Sequence, residues 1–149
     1  MSTSLVQRMT DTQAGWSPVV LRIAAGFIFA AHGSQKLFGW FGGHGFEGTS
    51  QWMESVGLVP GHLMALLAGS AEFFGGLALV AGILVRPAAA ILAFTMIVAI
   101  FSVHWKNGLF MANNGYEFAL ALLVVTLSLA ISGAGRASLD AALSQSGTD

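Results

Sequence analysis

The chain has 149 residues, 55% of them hydrophobic and only 9% charged, where a soluble domain carries roughly 25% charged residues. A formal net charge of −1 offers no basic surplus for nucleic acid, and the lack of any cysteine excludes disulfides, thiolate metal sites, iron–sulfur clusters and dithiol redox chemistry. What remains is an all-α integral membrane protein of one domain, a four-helix transmembrane bundle with spans at about 17–38, 62–85, 87–105 and 115–135.

Residues 1–16 precede the first span. Asp11 lies among them and no small-residue cleavage site follows the apolar run, so a removable signal peptide is not expected. The first span is apolar except for Arg22 near its start and His32, Gln35 and Lys36 near its end, where long basic side chains snorkel to the interface. Residues 39–60 form the longest loop; within it Phe46, Trp52, Met53 and Val56 share one face of a short interfacial helix ended by Gly57. The second span holds Glu72 near its middle. That residue costs about 2.5–3.5 kcal/mol on insertion, which the surrounding Leu, Ile, Phe and Val offset. Residues 87–105 and 118–135 are free of charge over 19 and 18 positions, each long enough to cross a hydrocarbon core. Residues 136–149 are a tail. Arg8, Arg22, Arg86 and Arg136 fall on one side and Lys36 and Lys106 on the other, which places both termini in the cytoplasm. A multi-pass membrane protein follows.

Ionisable groups in lipid turn toward the bundle interior and toward partners. Arg22, Gly26, Phe29, Gly33 and Lys36 are spaced 4, 3, 4 and 3 along the first span and so form one stripe, with glycines that let another helix approach. On the second span Ala71, Gly75, Ala78 and Gly82 repeat that spacing, with Glu72 at the border. Similar depths predict an Arg22–Glu72 ion pair. A second polar cluster gathers at the outer face from His32, Gln35 and Lys36, from His104 and Lys106, and from Asn113, Asn114, Tyr116 and Glu117. No second histidine pair supports a haem, and no close-spaced ligand motif supports a metal. Lysine and histidine beside an apolar cavity suit a quinone, whose carbonyls need donors and whose reduction needs protons.

In this order and spacing the motifs resemble the DoxX family of small four-helix bacterial membrane proteins. They are Arg22-x3-Gly26 with His32-Gly33-x2-Lys36-Leu37, Glu72-x2-Gly75-Gly76-Leu77 with Gly82 and Arg86, His104, Gly115-Tyr116-Glu117-Phe118-Ala119, and Gly133-Ala134-Gly135-Arg136-x-Ser138-Leu139-Asp140. The resemblance implies a helical bundle and an oxidoreductase-associated role. It nominates Glu72, Glu117 and His104 as catalytic positions and Arg22, His32, Lys36 and Tyr116 as cofactor-binding ones. The expected activity is that of an inner-membrane redox subunit holding a quinone-like molecule in the outer half of the bundle, where Glu72 or Glu117 exchanges protons. A non-catalytic membrane anchor or assembly subunit for a partner protein is the alternative, and a small-solute or proton conduit ranks third; a protein partner or a homo-oligomer is expected.

Overall fold

The computed structural model describes residues 15–146, with side chains described through residue 143. Arg8, Asp11 and most of the predicted N-terminal segment lie outside the described residues. Among the described residues six α-helices follow one another: α1 (Ser17–Phe38), α2 (Gly45–Ser55), α3 (Gly61–Ala81), α4 (Val85–Ala99), α5 (Glu117–Ser132) and α6 (Leu139–Ser146). No strand occurs among the described residues. Helix α1, helix α3 and the stretch Val85–Asn107 are long and apolar enough to cross a membrane. The fourth apolar helix, α5, has 16 residues and is ~24 Å long at 1.5 Å per residue.

Local chemistry sets the ends of these helices. Pro18 sits in the first turn of α1, where its missing N–H removes no hydrogen bond, and Gly39 ends the helix at φ +71°. Apolar residues continue past Ala81, so the second span is predicted to reach 85. Instead Gly82, at φ +71°, stops α3, and the amides of Gly82 and Ile83 both donate to Ala78 O. Past Ala99, helix α4 widens into a π-helical turn at Ile100–His104 and tightens again at Trp105–Asn107.

Helices α1 and α3 meet backbone to backbone. A Cβ on Gly26 would stand 2.7 Å from Gly76 O, one on Gly33 2.3 Å from Phe73 N, and one on Gly76 2.4 Å from Ala30 N. Small residues permit this approach, and van der Waals contact then holds helices that water does not drive together. The predicted α1 stripe is the packed face, with Phe29 and Arg22 almost wholly enclosed. The α3 stripe needs correction. Its buried face is Gly61, Ala65, Gly69, Glu72, Gly76 and Leu79, so Glu72 lies within the packed stripe, while Gly75 looks across at Leu92 of α4. Helix α3 has neighbours on two sides, and both of its faces carry small residues at helical spacing.

Leu79, Val85, Leu92 and Leu129 fill the core between α3, α4 and α5. Outward-facing Phe27, Phe74, Phe94 and Ile131 are each more than 60% exposed, as side chains turned to lipid would be. The short loop helix exists as α2, but its buried residues are Thr49, Ser50 and Met53, and Trp52 stays exposed. Thr49 Oγ1 donates to Lys36 O at 3.2 Å and Glu54 accepts from Gly61 N at 3.2 Å, so α2 is tied to the adjoining ends of α1 and α3.

Candidate ligand site

Two polar assemblies occupy opposite ends of the bundle. At the first, Arg22 Nε donates to Ala134 O at 3.0 Å, Nη1 to Leu79 O at 2.8 Å and Val80 O at 2.6 Å, and Nη2 to Ala137 O. Asp140, 1% exposed, accepts from the amides of Leu84 at 2.8 Å and Val85 at 3.0 Å, and so caps α4 from the far end of the chain. The first residues of the predicted tail are therefore built into the fold, and the Gly133–Asp140 motif supplies acceptors for Arg22 together with the cap.

The predicted Arg22–Glu72 pair does not form. The Cα–Cβ bonds of a helix tilt toward its N-terminus. Arg22 lies near the start of α1 and leans back toward the carbonyls at that end. Glu72 on the antiparallel α3 leans the opposite way, and Lys36, near the end of α1, leans down to meet it. Lys36 Nζ and Glu72 Oε2 form the ion pair, with Glu72 5% and Lys36 24% exposed at the side chain.

This pair separates two cavities. The first, about 400 Å³, runs between α3 and α4 beneath α2; its walls include Leu67, Ala71, Ile91, Phe94 and Val98, and its polar end is Lys36, Glu72 and His104. Leu67, Ile91 and Phe94 are all more than half exposed, so this cavity opens on the lipid-facing side. The second, about 280 Å³, lies on the other side of the pair and is lined by Phe29, His32, Asn114, Phe118 and Leu122 with Lys36, Glu72 and His104 again. His32 Nδ1 stands 2.9 Å from Ile28 O, and its ring lies 6.0 Å from that of Phe118. His104 Nδ1 stands 2.9 Å from Asn114 O.

The profile of the DoxX family matches residues 17–105. The chain belongs to the DoxX family. Among its relatives is a Bacillus subtilis protein named "Putative oxidoreductase CatD", 34% identical over 122 residues, which cover 82% of this chain and 83% of that one. Two Escherichia coli relatives are named inner membrane proteins. YqjF is 37% identical over 131 residues (85% of this chain, 92% of that one), and YphA is 32% identical over 127 residues (82% and 86%). No solved structure matches. This DoxX protein is a multi-pass protein of the bacterial inner membrane, surrounded by lipid.

Of the seven positions nominated from the sequence, the DoxX fold brings four together: His32, Lys36, Glu72 and His104. Arg22 is at the opposite end of the bundle. Glu117 accepts from Met111 N at 2.6 Å and fixes the loop before α5, outside both cavities. Tyr116 stacks on Trp105 with ring centres 5.4 Å apart and also lines neither cavity. The sequence reading overlooked Thr95 and Ser102, seven residues apart on α4 and its π-helical extension, which lie in the wall of the larger cavity. Two hydroxyl residues at that spacing in an otherwise apolar helix were the available signal.

Proposed function

We propose that this DoxX protein is the membrane subunit of a redox system and binds a quinone-like amphipathic molecule in the cavity between α3 and α4. The cavity itself carries the reading: about 400 Å³ of apolar space, open toward lipid and ending on a lysine, a carboxylate and a histidine. Cavities for small molecules typically run to ~300–1,000 Å³, with apolar walls and a few polar groups that fix orientation. A ring-bearing head would sit against Lys36 and His104, with its tail leaving past Leu67 and Phe94 among acyl chains. The fully apolar tail needs no polar partner on the way out. Electrons would come from or pass to a partner protein, since this chain has no cysteine to exchange them through a dithiol.

In this reading all four apolar helices cross the membrane. Arg22, Arg86 and Arg136 mark the cytoplasmic end, and the Lys36–Glu72 pair lies in the outer half. Quinone extracted from gently purified protein, measured by absorbance and mass spectrometry, tests the proposal. Bound quinone is expected in the wild type, with loss in Lys36→Ala and His104→Ala. A ligand-free protein that keeps a stable partner in mild detergent would refute it in favour of an anchoring role.

A further inference from the structure

The second cavity differs from the first in what it opens on. Its rim is the loop before α5, where Met111 and Asn114 are exposed together with the neighbouring Lys106, Asn107 and Asn113. A loop of that polarity belongs among headgroups and water, whereas the mouth of the larger cavity is Leu67, Ile91 and Phe94. Three polar side chains line both cavities: Lys36, Glu72 and His104. The titratable groups on the wall of the second cavity are His32 and Lys36 from α1, Glu72 from α3 and His104 from the π-helical turn; among the described residues α5 adds only Phe118, Ala119 and Leu122.

The two histidines are held alike. Nδ1 of His32 stands 2.9 Å from Ile28 O, and Nδ1 of His104 stands 2.9 Å from Asn114 O. A carbonyl oxygen can only accept, so each neutral ring carries its hydrogen on Nδ1, and Nε2 is the atom that takes up a proton. At about 280 Å³ the cavity has room for several waters, and these side chains supply the polar partners that a buried water needs. Toward the Arg22 end it is closed. Phe29 is 1% exposed, and beyond it Gly26 and Gly76 bring α1 and α3 backbone to backbone.

We infer that the second cavity is a water-filled port through which Glu72 and His104 exchange protons with the aqueous phase at the loop end of the bundle, with His32 as a relay on its wall. The larger cavity admits molecules from lipid to one side of the Lys36–Glu72 pair, and the port admits water to the other. A proton that reaches the Glu72 carboxylate or His104 Nε2 passes to His32 Nε2 or to water and leaves past Asn114. Nothing crosses the bundle, because the port stops at Phe29. Its use for the protons of a ring ligand rests on the proposed quinone site; its hydration does not.

The chain has no cysteine, so one can be placed on each wall. Ala119→Cys reports on the port alone and Ala71→Cys on the larger cavity alone. Full-length protein in lipid nanodiscs is treated with a water-soluble, permanently cationic methanethiosulfonate and, separately, with an oil-soluble maleimide. Ala119 is 6% exposed and Ala71 is half-buried, so packing alone predicts faster labelling at Ala71. A wet port predicts the reverse. The cationic reagent should modify Ala119→Cys at least about tenfold faster than Ala71→Cys, since the thiolate reacts and apolar surroundings suppress it. The maleimide should modify Ala71→Cys. Leu122→Cys serves where Ala119→Cys does not assemble. Plugging either port cysteine with a neutral benzyl disulfide should slow proton exchange at the His104 ring, read by ¹⁵N-histidine NMR. Equal or faster cationic labelling at Ala71→Cys, or exchange at His104 that the plug leaves unchanged, overturns the inference. Neither readout needs a bound quinone, so a quinone-free protein refutes the proposed ligand while the labelling still decides the port.

Discussion

Replacing Gly33 by alanine should drive α1 and α3 apart. The new Cβ would fall 2.3 Å from Phe73 N, 2.7 Å from Phe73 Cα and 2.8 Å from Gly69 O, all of them backbone atoms of a packed helix. No rotamer can relieve backbone, so the helices must separate by ~1 Å to restore contact near 3.5 Å. A gap of that size forfeits a quarter to a half of the dispersion energy along the seam, and overpacking costs of this type run to about 2–3 kcal/mol. Gly69 is on the facing helix and provides the control. A Cβ there meets the Leu37 Cδ2 methyl at 2.7 Å, the movable end of a half-buried side chain, so Gly69→Ala should cost under about 1 kcal/mol. Thermal unfolding in one detergent, followed by circular dichroism, reads the difference. Gly33→Ala should lower Tm by roughly 6–15 °C, and Gly69→Ala by no more than about 5 °C. Equal effects at the two glycines would refute the view that backbone proximity, rather than crowding in general, fixes this seam.

Three further outcomes follow from the same geometry. Asp140→Ala removes the acceptors of two amides at the start of α4 and should cost about 2–4 kcal/mol in the same assay; Asp140→Asn, which keeps one carbonyl oxygen, should cost about half of that. Lys36→Glu and Glu72→Lys each set like charges together and should destabilise by about 3–5 kcal/mol, while the double exchange recovers more than half of the yield and Tm lost by either. On α2, hydrogen bonds from Gln51 and then His62 hold the Glu47 carboxyl below its ordinary value of 4.5. A depressed carboxyl contributes stability that is complete above its ordinary value and disappears as pH falls through the lowered one. Trp52 fluorescence should therefore be flat from pH 7 to 5 and step only in stronger acid, and the step should be absent in Glu47→Gln.

Helix α1 could be read from sequence to the residue because several signals coincide there: Pro18 at the start, Gly39 at the end and one charged stripe between. On α3 and α5 the same methods have less to work with. Helices that are apolar on every side give no periodic contrast, so the choice between the Gly75 face and the Gly69–Gly76 face of α3 was open, and the sequence reading favoured the wrong one. Depth alone paired Arg22 with Glu72; the direction in which helical side chains lean separates them and was the missing consideration. His32, Lys36 and His104 were found because a polar group in lipid needs a reason to be there. Glu117 carried the same signal for another cause, since it holds a loop. Asp140 escaped notice as a structural residue because a cap supplied from 55 residues away leaves no local pattern.

The arginine cluster bears on how the protein is made. Arg22 is translated early, yet its acceptors at Leu79 and Val80 lie 57 and 58 residues later, and those at Ala134 and Ala137 lie 112 and 115 residues later. At ~5–20 residues per second, the guanidinium waits roughly 6–23 s for its last partners. During that interval the nascent helices can be in the bilayer, but one end of the assembly stays unlatched. Closure of that end is thus timed by the ribosome, and a chain halted before Ala137 would keep a buried cation half-satisfied, a defect that quality-control proteases could recognise.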